Sequence, residues 1–285
     1  MGSKHDFLAI RRPLNPVRRN HPPRLHPLTR MSASHRLHFA ARYALRHLLL
    51  SLLVAMASAA VVFGLWYPAP YRQMLQVGHI YLLVLVVDVV CGPLLTLVLY
   101  NPAKPRAELW RDLGLVVLIQ LAALGYGLHT VWQARPVYLV QEVDRFKVIA
   151  LPALDTDEVD KLPPALKPRW MGGPTTVAIR EPKGTAERNK VLFESIEGGR
   201  DYAERPEFYL PYEGAAALKA LQRAKPLAAF LDKQPSQRSA AAEMAASKGL
   251  DMAQLVYLPV VGRQDWVAVL DAQAQIQGFL KGDGF

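Results

Sequence analysis

Three apolar runs dominate the first half of the chain: Leu45 to Trp66, Ile80 to Tyr100 and Leu113 to Trp132. Each holds about 20 residues, the length of helix that crosses a hydrocarbon layer roughly 30 Å thick. No Lys or Arg stands in their central turns, and Arg46 lies at the edge of the first. One such run is compatible with a buried helix of a soluble protein. Three in succession, separated by short polar breaks, predict three membrane-spanning helices with antiparallel neighbours. Trp66, Tyr67, Tyr71, Tyr81, Tyr100, Trp110 and Trp132 gather near the expected boundaries, as an aromatic belt would.

Charge is uneven along the chain. The 285 residues carry a net +10, but the part up to Pro136 accounts for +11 and the remainder for −1. The basic excess therefore belongs to the apolar half and is no argument for nucleic-acid binding. Lys and Arg also orient the helices, because they concentrate on the cytoplasmic side. Arg36, Arg42 and Arg46 precede the first run, and Lys104, Arg106 and Arg111 lie between the second and third. The intervening loop YPAPYRQMLQVG has only Arg72. The amino end is thus expected in the cytoplasm and the segment after Pro136 on the far side, the periplasm in a bacterium. FGLWYPAPYR has no small-x-small cleavage pattern, so the first run reads as an uncleaved signal anchor.

Residues 1–34 are basic and rich in proline without periodicity, which predicts a disordered segment. Met31 offers an alternative start to Met1, and Ser34 is positioned to cap a short amphipathic helix entering the first span. Residues 35–136 form the expected three-helix transmembrane region. Residues 137–285 read as a soluble, periplasmic α+β domain large enough for its own core. PVYLVQEVDRFKVIAL predicts two strands around a polar break at Glu142 to Arg145. GTAERNKVLFESIEGG predicts a helix capped by Thr185 and stopped at Gly198. DTDEVDKLPPALKP reads as a helix or turn stopped by Pro163-Pro164; further helices are expected in AAALKALQRAKP and SAAAEMAASKG, a strand in TTVAIRE after the WMGG loop, and two strands around Gly262-Arg263.

All eight histidines lie at or before His129, and the single cysteine, Cys91, lies in the second run. The carboxyl-terminal domain therefore has no His- or Cys-based nucleophile, no zinc set built on those residues and no disulfide. The acids Asp155, Asp157, Glu158 and Asp160 lack the glycine and terminal glutamate of a calcium loop. No catalytic, cofactor or metal site is predicted; Glu204 and Glu207 are the carboxylates worth testing for acid–base work. Partner binding is expected instead at RPEFYLPYE, where Phe208, Tyr209 and Tyr212 stand close together beside Pro206 and Pro211. The competing reading places these aromatics in the core.

Asp88 is the one acid within the second run, and an ionisable residue in a span is a functional candidate. Equal counting from the outer helix ends sets it level with Ser58 on the first span and Tyr126 on the third, with small residues around both. Two roles are open: a hydrogen-bonded lock between helices, or one station of a proton or ion relay. The relay needs a second titratable group at the same depth, and none is expected there. Gly92-Pro93 adds a bend one turn later, and Asn101-Pro102 a stop.

VDVVCGPLLTLVLYNPAKP, followed by ELWRDLGLVVLIQLAALGYGLHTVWQARPVYLVQEVDRF, resembles the TfpX/TfpZ family of type IV pilin accessory proteins, as do ERNKVLF, RPEFYLPYE and GRQDWVAVLDAQ. The resemblance runs from about Met31 and is densest from Val86 to Phe146. Tyr100 stands where a Phe is expected, and the ending QGFLKGDGF lacks a Pro-Trp pair. The resemblance implies a bacterial inner-membrane protein without enzymatic activity or cofactor, assisting type IV pilus biogenesis by binding pilin or the assembly machinery. A membrane-anchored sensor is the alternative, and a membrane-bound pilin-modifying enzyme a further one.

Overall fold

The structure is a computed structural model that describes residues 33–101 and 104–285. The segment 1–32, with the expected disorder and the choice between Met1 and Met31, lies outside the described residues. Among the described residues, three helices are long and apolar enough to cross a membrane. The first, α1 (Ala33–Val61), passes into a π-helical turn at Val62–Trp66. The others are α3 (Val77–Leu99) and α4 (Arg106–Gln133). Ala33 and Ser34 already belong to α1, so the expected short entry helix and the first apolar run are one continuous helix. Nothing in HRLHFAARYALRH breaks a helix, since Gly and Pro are both absent from it. Pro93 sits inside α3 without ending it. It removes one backbone donor and is buried beside Gly92, which leaves room for the Gln120 side chain of α4.

A one-turn helix, α2 (Tyr71–Met74), joins α1 to α3. After α4 the chain enters a mixed eight-stranded sheet. Its strands are β1 (Pro136–Gln141), β2 (Phe146–Ala150), β3 (Thr175–Ile179), β4 (Tyr209–Pro211), β5 (Lys225–Pro226), β6 (Val256–Val261), β7 (Trp266–Leu270) and β8 (Ile276–Lys281). The order is β4-β3-β1-β2-β6-β7-β8, with β5 paired to β6. β1 runs parallel to β3 and β2 parallel to β6, while the other pairs are antiparallel. Helices α5 (Thr156–Asp160), α6 (Thr185–Ile196), α7 (Gly214–Leu221), α8 (Leu227–Lys233) and α9 (Arg238–Ser247) lie between strands in the chain.

The sheet is covered on both faces, which is why β1 and β7 are buried at every position. Successive side chains in a strand point to opposite faces. Tyr138 and Val140 of β1 thus join a core with Ile149, Leu162, Leu166 and Tyr209, and Leu139 points the other way. In β7, Val267 and Val269 pack with Phe230 of α8 and Ala241 of α9. Trp266, Ala268 and Leu270 share the opposite face with Ala220 of α7 and with Met74 of α2. Met74 is fully buried there, although it comes from the loop between two apolar helices. Its carbonyl accepts from the Arg263 and Gln264 amides at 3.0 and 3.2 Å, and Tyr71 meets Phe279 edge to face. The α1–α3 loop and the sheet domain therefore form one packed body.

The predicted hairpin in PVYLVQEVDRFKVIAL is β1–β2, closed by the Glu142 amide donating to the Arg145 carbonyl at 2.8 Å. Thr185 is the first residue of α6 and not its cap; Gly184 occupies the cap position. Gly198 takes a left-handed φ of +85° just beyond that helix, as a helix stop requires. Four elements, α2, β5, α8 and β8, are absent from the elements that the sequence predicts. α8 follows Pro226 with no capping side chain, and Gly278 interrupts the apolar pattern of β8.

Candidate functional site

The aromatics expected to form a surface anchor do not form one. Phe208 is 1% exposed and Tyr209 5%. The Tyr209 hydroxyl donates to the Ala203 carbonyl at 2.6 Å, and its ring meets Tyr138 edge to face. Tyr212 is half-buried, packs against Phe146 and donates to the Ala274 carbonyl at 2.8 Å. Two prolines bring these rings together, but a short 3-10 turn at Pro206–Phe208 followed by β4 aims them into the sheet. Burial pushes the Tyr209 and Tyr212 phenols well above their ordinary range, so both remain neutral donors.

The exposed apolar face of this region lies on α6. Val191 is buried against the domain, whereas Leu192, Phe193 and Ile196 are 51, 60 and 72% exposed. Val191, Leu192 and Phe193 are consecutive, so at about 100° per residue they fan too far around the helix to share one core-facing stripe. Two ion pairs hold the helix with this face outward. Arg180 grips Glu187 through its two terminal guanidinium nitrogens, at 2.8 and 2.9 Å. Arg205 reaches Glu194 at 2.5 Å. The Arg180 bonds, helped by the Lys183 amide, hold the Glu187 carboxyl down at about 2. A signal for this face was present in KVLFESI: Leu192, Phe193 and Ile196 are apolar residues in excess of the one position the core takes.

Asp155, Glu158, Glu204 and Glu207, four of the carboxylates considered for chemistry, sit in caps or beside cations. Asp155 caps α5 and pairs with Arg200 at 2.8 Å. Glu158 pairs with Lys161 at 2.6 Å. Glu204 completes a capping box with Asp201 and accepts from Lys147 at 3.0 Å, and Glu207 lies 3.7 Å from Arg205. A cleft of about 740 Å³ opens between the β1–β2 turn, α6 and α7. Its acids are partly paired, Asp144 with Arg145 and Glu181 with Lys219. Burial raises the Glu142 carboxyl in its floor. Among the described residues, no three of His, Cys, Asp and Glu converge where they could hold a metal ion.

The surroundings of Asp88 also differ from the equal-depth expectation. Ser58 bonds to the Tyr81 hydroxyl at 2.5 Å and to the Ala55 carbonyl at 2.9 Å, and not to Asp88. Tyr126 is 75% exposed; its neighbour Gly127 faces α3 instead, where an added Cβ would come within 2.8 Å of Val84. The bond that joins the helices at this level runs from Gln120 Nε2 of α4 to the backbone carbonyl of Asp88, at 2.8 Å. The Asp88 side chain lines a cavity of about 80 Å³ together with His47, Ser51 and Gln120. His47 is thus the second titratable group that counting did not find, and it also bonds to Thr96 at 2.6 Å. The helices are slid by about two turns relative to equal counting: Ser58 meets Tyr81, seven residues before Asp88 in α3. Cys91 is exposed on α3.

The chain thus joins a module of long apolar helices to a mixed sheet covered on both faces, with an apolar face of α6 turned outward. The family model for fimbrial assembly protein FimB matches residues 35–76. A fimbrial assembly protein of Dichelobacter nodosus, serogroup E1, is 32% identical over 250 residues, 87% of this chain and 96% of the relative. That of serogroup I is equally similar over the same extent. The protein of serogroups C1 and C2 is 40% identical over 121 residues, 42% of this chain and 92% of the relative. This chain belongs to the fimbrial assembly protein family. No solved structure matches it.

Proposed function

We propose that this protein is an inner-membrane accessory factor of type IV pilus biogenesis. Its three apolar helices cross the bilayer, its sheet domain stands in the periplasm, and the α6 face holds a pilin subunit for assembly. Membership of the fimbrial assembly family is the observation that carries this reading. Orientation draws on two independent facts. Lys and Arg are scarce in the α1–α3 loop and frequent on either side of it. The same loop inserts Met74 into the core of the sheet domain, so loop and domain share one side. Alkaline phosphatase fused after Pro136 should be active and after Asn101 inactive; the reverse pattern would overturn this topology.

Binding, not catalysis, is the proposed activity. Leu192, Phe193 and Ile196 form an apolar patch of the kind that anchors protein partners. A photoactivatable residue at Phe193 should crosslink to pilin in cells. Phe193→Glu should abolish that capture while leaving the unfolding free energy within about 0.5 kcal/mol, as for exposed sites generally. Undiminished pilin capture by Phe193→Glu would remove α6 from the interface. Capture of another pilus component in place of pilin would move the partner to the assembly machinery.

A further inference from the structure

The loop Arg169–Gly173 leads from the first core layer into β3, and neither the core nor the α6 face accounts for it. Trp170 and Met171 at its tip are 62 and 47% exposed, and Lys167 and Arg169 beside them are exposed as well. A loop that shows a tryptophan and a methionine to water gains nothing from either.

Its position supplies the reason. The Gly172 amide donates to the Leu65 carbonyl at 3.3 Å. Leu65 lies in the π-helical turn that ends the first apolar helix at Trp66. Gly173 presses on the next turn of chain: a Cβ there would approach Pro68 Cγ to 3.0 Å. Gly172 and Gly173 have φ of +93° and +81°, conformations that L side chains rarely adopt. The Gly-Gly pair thus folds the loop back onto the helix end, and the Arg169 guanidinium closes its base on the Pro174 carbonyl at 3.3 Å. The backbone tie fixes the tip at the level where the apolar helix stops.

We propose that this tip is a membrane-surface anchor, with Trp170 and Met171 seated at the headgroup–acyl boundary and Lys167 and Arg169 among the lipid phosphates. The proposal rests on the reading that the helices cross a bilayer. At the end of a spanning helix the neighbouring medium is lipid headgroup, so the occupant of this exposed surface is the bilayer itself. Tryptophan favours that boundary, with its apolar ring inward and its N–H toward water. Lysine and arginine stems lie along apolar surface while their charged heads meet phosphate. The loop would then fix the tilt of the sheet domain over the membrane, as a contact added to the α4–β1 connection and the packed α1–α3 loop.

The test uses the full chain in nanodiscs of phosphatidylcholine and phosphatidylglycerol, with Cys91→Ala as background. A fluorophore that brightens in apolar surroundings is attached at Met171→Cys, and separately at Trp170→Cys. Leu118→Cys in the middle of α4 and Ser239→Cys on exposed α9 are the reference sites. Spin-labelled lipids carrying the quencher near the headgroup or deep in the acyl chain report depth. Positions 170 and 171 should be quenched most by the shallow label, 118 most by the deep one, and 239 by neither. If 118 is quenched while 170 and 171 are reached only by a water-soluble quencher, the anchor is refuted and the membrane reading stands. If 118 is not quenched either, the membrane reading fails and the anchor with it.

Discussion

A Met74→Asp variant of the full chain should lose the cooperative unfolding of the sheet domain, or unfold far below the parent. Met74 is fully buried among Leu139, Phe146, Leu258 and Trp266. Truncating a buried Met costs about 2–5 kcal/mol. A carboxylate in its place adds several kcal/mol for burying an unpaired charge. The sum is comparable with the whole stability of an ordinary domain, about 5–15 kcal/mol. Met74→Leu keeps volume and polarity and should cost under about 1.5 kcal/mol. Both variants leave the Arg263 and Gln264 amides on the Met74 carbonyl, because those bonds involve only backbone. Denaturant unfolding of the detergent-purified chain, followed by the near-ultraviolet signal of its tyrosines and tryptophans, reads the difference. An unchanged midpoint for Met74→Asp would show that the α1–α3 loop is no part of the domain core.

The second large effect is expected at Tyr209. Tyr209→Ala removes a ring that is 5% exposed, stacked edge to face on Tyr138 and bonded to Ala203. Large aromatic-to-alanine changes in cores cost about 3–5 kcal/mol. Tyr209→Phe keeps the ring and loses one hydrogen bond, which is worth about 1 kcal/mol. The fall in unfolding midpoint should therefore be large for Ala and small for Phe, with partner capture lost only where the domain unfolds. A Tyr209→Ala protein with a parental midpoint and no pilin capture would return the ring to the surface. Set beside Phe193→Glu, the pair separates an aromatic that holds the domain together from one that meets a partner.

The contrast between Tyr209 and Phe193 also shows where sequence reasoning reached its limit. Three helices of spanning length were legible because run length and the absence of charge are local properties of the chain. The β1–β2 hairpin, β3, β6, β7 and the glycine stop after α6 were legible for the same reason: strand periodicity and left-handed turns act over a few residues. Which face of a segment is covered is not local. RPEFYLPYE and KVLFESI both present aromatic and aliphatic side chains, and only the pairing of β4 with β3 turns Phe208 and Tyr209 inward while α6 keeps Phe193 outside. Asp88 has the same origin. Its helix was readable, but its neighbours depend on how far two antiparallel helices slide past one another. A shift of about two turns replaces Ser58 by Ser51, with His47 one turn further along, and Gln120 takes the place of Tyr126. The one-turn helix α2 carries no periodicity at all, and Met74 becomes core only because the β6–β7 turn closes on its carbonyl. Local patterns determine which elements form; contacts between residues distant in the chain decide which side chains those elements bury and which they leave for lipid or partner.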